Sequence, residues 1–198
     1  MKTASALVIA LLCGGHLLAA GQHDDSVVNW RNIAGVITAP GIDNPVAVIT
    51  DRNNNILSQI HSGTLPWVVR TGTAEVDLTT SAADFSVTGL VLIGGNASGT
   101  AGPINQVIGT LVCNPGSTDV NQPQAIVDTP PVPLSGLGNA NFSGELTAPV
   151  PFPCGGPLFL IRIGPAFGSF AGRWLATGIG PQLGHSHPSE NKHDSDQN

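Results

Sequence analysis

Residues 72–88 read Gly72-Thr73-Ala74-Glu75-Val76-Asp77-Leu78-Thr79-Thr80-Ser81-Ala82-Ala83-Asp84-Phe85-Ser86-Val87-Thr88. Ala74, Val76 and Leu78 alternate with Glu75 and Asp77, and Phe85 and Val87 alternate with Ser86 and Thr88. A period of two with one apolar and one polar face marks a half-buried strand. The polar stretch 79–84 supplies a turn, so the two runs are predicted to form an antiparallel hairpin. The first run extends back to Trp67 and the second forward to Leu92.

The same pattern continues outward. A Gly-rich loop, 94–103, leads to a strand over 106–113 that ends on Cys113. Asn114-Pro115-Gly116-Ser117 is a strong turn signal, and 124–128 is a short strand. Pro130-Pro131-Val132-Pro133-Leu134 is excluded from a sheet centre and is expected at an edge or as an extended connector. Residues 139–147 give the cleanest alternation, with Ala140, Phe142, Gly144 and Leu146 on one face and Asn141 on the solvent side. The nearly continuous apolar run 157–163 predicts a central strand, and 173–179 the last one. Upstream, 27–38 and 46–50 are candidate extra strands, 51–55 is a turn, and 56–61 fits either a strand or a short helix. No segment holds a ten-residue helical period. The prediction is an all-β chain: a single antiparallel β-sandwich of about seven to nine short strands, with its core in 66–180 and a further segment, 22–65. After Pro181 apolar residues almost vanish, so 181–198 is expected to be a disordered, His-bearing tail.

Composition agrees. The 198 residues include 25 Gly and 16 Pro, about a fifth of the chain against roughly an eighth on average. Charged residues make up 10%, against an average near ~25%. This excludes a coiled coil, a charge-driven disordered chain and a basic nucleic-acid binder, because only 7 residues are Lys or Arg.

The amino terminus reads as an address. Lys2, the apolar run 6–13, the small residues Ala19-Ala20-Gly21 and the polar Gln22-His23-Asp24-Asp25 have the layout of a secretory signal peptide over 1–21. Cys13 sits where a lipoprotein cysteine would, but Leu12 before it is not small. No later apolar run is long enough to span a membrane as a helix, and the polar C-terminus is no GPI signal. Cleavage removes Lys2, making the formal net charge of −6 one unit more negative. It also removes Cys13 and leaves Cys113 and Cys154. In an oxidising compartment these two most simply form a disulfide, the alternatives being two free thiols or half a metal site. Asn96-Ala97-Ser98 and Asn141-Phe142-Ser143 are N-glycosylation sequons, usable in a eukaryotic secretory pathway.

The ordered set Gly72 to Leu78, Phe85 to Val91, Val107 to Cys113, Val132-Pro133-Leu134-Ser135 with Gly138-Asn139-Ala140, Cys154, and Gly172 to Gly178 resembles a group of small secreted proteins of actinobacteria and fungi with two cysteines. The resemblance spans residues 66–178. It implies a secreted β fold and a disulfide, and assigns no catalytic residue.

Chemistry is sparse. Glycoside hydrolysis needs two carboxyl groups across a cleft, but Glu75, Asp77 and Glu145 read as solvated strand faces and Glu190 lies in the tail. There is no Gly-X-Ser-X-Gly elbow, and His61, the lone histidine inside the predicted fold, reads as a surface residue. Residues 94–102 lack the Lys-Ser/Thr ending of a phosphate loop. His185, His187 and His193, with Glu190, Asp194 and Asp196, could ligate Zn²⁺, Cu²⁺ or Ni²⁺ at the cost of ordering the tail. Cleavage after Ala20 would create a Gly21-Gln22-His23 chelate for Cu²⁺ or Ni²⁺, and cleavage after Gly21 would abolish it. Trp30, Trp67 and Trp174 read first as core or edge packing of their strands; the flanking Pro66 and Arg173 leave partial exposure of Trp67 and Trp174, and with it a sugar platform, as the alternative reading.

The expected function is a secreted, non-enzymatic β-sandwich protein without a cofactor, acting at a cell surface or on a host or environmental partner. Its contacts would come from loops 94–103 and 114–123, and its partner would be an extracellular protein or a glycan. One alternative is a carbohydrate-binding module using Trp67 and Trp174. The other is a hydrolase with scattered residues, which a cleft holding two carboxylates or a His–acid pair would signal.

Overall fold

A computed structural model describes residues 26–39 and 42–183. The expected signal peptide over 1–21, His23, and the tail histidines His185, His187 and His193 lie outside the described residues. The chain forms β1 (Val27–Trp30), β2 (Asn32–Gly35), β3 (Val46–Thr50), β4 (Ile56–Ile60) and β5 (Trp67–Val68). Next come β6 (Thr71–Asp77), β7 (Ala82–Thr88), β8 (Val91–Leu92), β9 (Gln106–Cys113) and β10 (Ala125–Asp128). Last are β11 (Val132–Pro133), β12 (Ala140–Glu145), β13 (Leu158–Ile163), β14 (Trp174–Ile179) and β15 (Gln182–Leu183).

Eleven of these build two antiparallel sheets, one ordered β12-β7-β6-β1-β15 and the other β10-β9-β13-β14-β2, with β11 also on β9; β3–β4 and β5–β8 form two further two-stranded pairings. The hairpin read from 72–88 is β6–β7, with Ala74 opposite Phe85 and Glu75 opposite Asp84. The near-continuous apolar run is β13, flanked on both sides by β9 and β14. That position explains its lack of alternation, since a central strand packed on both faces carries few polar residues. Pro133 is confined to β11, a two-residue pairing beside the edge strand β10.

Between the sheets sit Trp30, Phe85 and Phe159, all buried. Ring centroids lie 5.5 Å apart for Trp30–Phe159 and 5.9 Å for Phe85–Phe159. Each such side chain contributes roughly 1.5–3 kcal/mol of hydrophobic stabilisation. Two glycines make room for them. A Cβ at Gly109 would stand 2.9 Å from Phe159 and from Phe85, and one at Gly178 would stand 2.5 Å from the Trp30 ring. Cys113 and Cys154 form a disulfide across 41 residues of sequence, which settles the alternatives left open for them. Closing a loop of that length is worth about 4 kcal/mol in the chain-entropy model.

Several expectations need correction. The described residues hold fifteen strands, more than expected, because β5, β8, β11 and β15 are only two residues long and residues 27–60 contribute four more. Residues 27–35 belong to the sandwich itself. After β1 in the first sheet the chain turns at Arg31 and enters the second sheet as β2, pairing with β14. The core therefore begins well before residue 66. Residues 56–60 are a strand and not a helix, pairing with β3. The tail does not start at 181, since Gln182 and Leu183 pair with Asn29 and Val28 of β1. The Phe-containing stretch Pro165–Phe170 forms a short 3-10 segment. Trp67 and Trp174 are not partly exposed. They are 4% and 7% accessible, because each points from its strand into the core. The Trp174 indole N–H donates to the Asn44 carbonyl at 2.8 Å. Neither indole presents a face to a sugar.

Candidate functional site

The chemistry-bearing residues that the fold brings together are Asp43, His61 and Ser62. His61 and Ser62 follow β4, and Asp43 arrives on the loop before β3. His61 Nδ1 hydrogen-bonds Asp43 Oδ2. The Ser62 amide and hydroxyl both donate to Asp43 Oδ1, at 2.9 and 3.1 Å. The Ser62 hydroxyl in turn accepts from the Asn44 amide at 2.9 Å. Partial burial alone would raise the Asp43 pKa. The hydrogen bonds from His61 and Ser62 outweigh it and hold the carboxyl below its ordinary value of 3.8.

This is a His–acid pair, which sequence inspection missed because 18 residues separate its members. Its wiring is not that of an activated nucleophile. A Ser–His–acid triad needs the serine to donate to the imidazole, whereas Ser62 donates to the carboxylate and is fully buried. The cluster is a joint. Trp174 N donates to His61 O at 2.9 Å, Gly63 N to Trp174 O at 2.7 Å, and Arg173 to Ser62 O at 2.8 Å. It fastens the β3–β4 hairpin to β14.

A second feature is a shallow groove of about 530 Å³ across the outer face of the first sheet. Its floor follows from strand alternation. Asn29, Glu75, Asp84 and Ser143 form one cross-strand row, and Thr73, Ser86 and Asn141 the next. Arg31 also lines it. Glu75 and Asp84 are direct neighbours across the sheet, a like-charge placement that costs stability. On the outer side of the second sheet, Arg162 is committed to Gly172 O at 2.7 Å and Asp128 at 3.1 Å.

Both sequons are on the surface, with Asn96 and Asn141 exposed. The two loops expected to meet a partner lie at opposite ends of the sandwich, because β9 runs from one to the other. At one end, loop 94–103 packs with 134–139 through Ala101 N to Gly136 O at 3.0 Å. At the other, loop 114–124 is tied to loop 146–157 by Asn114. Its amide donates to Pro123 O at 3.2 Å and Pro153 O at 2.9 Å, and its oxygen accepts from Gly155 N at 2.7 Å. Among the described residues no group of three or more His, Cys, Asp or Glu is placed to hold a metal ion, and no helix is long and apolar enough to cross a membrane. Compared with family models, curated proteins and solved structures, the chain finds no match.

Proposed function

We propose that this is a secreted, non-enzymatic β-sandwich protein that works by contact, through the loops at its two ends. The observation that carries the reading is the framing of those loops. They hold large apolar side chains out in solvent, Leu137 at one end and Val120 and Phe152, at 88% and 100% exposure, at the other, where Asn114 and the disulfide fix the backbone. Large apolar groups held in water on a fixed frame mark contact surfaces. The commitment of Ser62 to Asp43 supports the non-enzymatic part.

The test is hydrolysis of ester, peptide and glycoside substrates by the purified protein. No turnover above a heat-denatured control is expected. Turnover lost in His61→Ala or Asp43→Asn would overturn the reading. A glycan-binding role is the second reading, favoured by the groove and not by tryptophan. Its amide, hydroxyl, carboxylate and guanidinium groups are the partners that sugar hydroxyls use. Retention on chitin, glucan or cellulose that falls in Asp84→Asn and Arg31→Ala would establish it, and a glycan on Asn141 would block it.

A further inference from the structure

The two ends of the sandwich differ in shape and charge. At the disulfide end, Phe152 stands wholly in solvent within Pro149-Val150-Pro151-Phe152-Pro153. Three prolines restrict this loop. It is also pinned on both sides of the ring: Val150 N donates to Ser81 Oγ at 2.9 Å, and Pro153 O accepts from Asn114 at 2.9 Å. Phe152 is therefore a preorganised knob. It loses little backbone freedom on docking.

At the other end lies an open apolar cavity of about 170 Å³. Leu65, Trp67, Leu92, Ile104, Phe170 and Leu175 line it, with Arg173 at its rim. A cavity near ~150 Å³ with such a lining accommodates a benzene ring. The eight residues of β9 separate the two ends by roughly 27 Å at 3.4 Å per residue.

Charge follows the same division. Segments 62–70, 89–105, 134–139 and 164–173, around the cavity, contain Arg70 and Arg173 and no carboxylate. Asp43 reaches this end from a neighbouring loop, so the cavity end carries two guanidinium groups against one carboxylate, itself hydrogen-bonded by His61 and Ser62. Segments 77–81, 114–124 and 145–157, around the knob, contain Asp77, Asp119 and Glu145, and the β3–β4 turn that follows Val48, beside Gly116, adds Asp51 and Arg52, whose charges offset each other. The knob end is acidic and the cavity end basic.

We infer that the cavity receives Phe152 of a second copy of this chain, so that molecules associate head to tail. Size, apolarity and opposite charge all match between the two ends. Because knob and cavity lie at opposite ends of the sandwich, a head-to-tail contact leaves one knob and one cavity free in each pair. The association is heterologous and grows as an open chain unless it closes into a ring. This rests on the end-loop contact reading above and names the partner as the protein itself.

Sedimentation of the disulfide-bonded mature protein, up to about 1 mM, tests the inference. The weight-average mass should rise with concentration past that of a dimer, and rise less at high salt. Phe152→Ala removes the knob, and Thr64→Trp plugs the cavity mouth. Both positions are exposed, so circular dichroism and melting should match wild type. Each variant alone should need at least about tenfold higher concentration to associate. Their equimolar mixture should stop at a dimer, because only one knob and one cavity remain. A wild type that stays monomeric to about 1 mM, a Phe152→Ala variant that associates like wild type, or a mixture that stays monomeric would each overturn the inference. Wild-type monomer with Phe152-dependent binding to phosphatidylcholine vesicles would overturn it too, while leaving the contact reading in place. His61-dependent turnover would instead strike that reading.

Discussion

Replacing Asn114 by Ala should loosen the whole disulfide end. Asn114 is buried and makes three side-chain hydrogen bonds, to Pro123 O, Pro153 O and Gly155 N. Each is worth about 1 kcal/mol net. Its φ is +51°, a left-handed conformation that asparagine tolerates and alanine adopts at a further cost of about 1 kcal/mol. The expected loss is about 3–4 kcal/mol, or about 10 °C in melting temperature for a chain of this size. Urea unfolding with the disulfide intact measures it. Asn114→Gly separates the contributions, because glycine loses the bonds but accepts the backbone, and should be about 1 kcal/mol more stable than the alanine variant. An alanine variant within about 1 kcal/mol of wild type, or a glycine variant below the alanine variant, would refute the reasoning.

Two further outcomes follow from the geometry. Gly109→Ala would drive a methyl to 2.9 Å from the Phe85 and Phe159 rings, and should cost about 1–3 kcal/mol by overpacking, read as a lower urea midpoint with an unchanged slope. The folded-state pKa of Asp43 lies below its ordinary 3.8, so the carboxylate favours folding above that value and its contribution fades as pH falls through the lowered pKa; acid titration of Asp43→Asn should show a smaller loss of stability below pH 3.8 than wild type does.

The strands that sequence showed plainly are those with one wet face. In β6, Glu75 and Asp77 mark the solvent side, and in β12 Asn141 does the same. β9 and β13 were legible as mostly apolar runs bounded by turns, broken only at Gln106, Gly109, Thr110 and Arg162. The amino-terminal strands were blurred because the chain changes sheets at Arg31, which resets the alternation after four residues. β4 was ambiguous because Ile56 and Leu57 are both exposed, so no apolar face repeats. Trp67 and Trp174 are core residues, as strand tryptophans usually are; only the alternative of exposure failed, because flanking residues say nothing about which side of a strand a ring takes. The Asp43–His61–Ser62 joint is made by tertiary folding across 18 residues, and no local pattern announces it. Asn114 looked like an ordinary turn residue; its grip on two loops depends on the disulfide bringing residue 154 alongside.

The pairing of β1 with β15, and of β2 with β14, bears on when this protein can fold. The strands nearest the amino end of the described residues meet partners nearest the carboxyl end. Until those arrive, β1 and β2 have open edges and Trp30 lacks the Phe159 ring against which it packs. Such distant pairing makes folding slow, and an incomplete chain adhesive. A sandwich closed by its most distant strands forms no stable half-structure, so it folds as one cooperative unit.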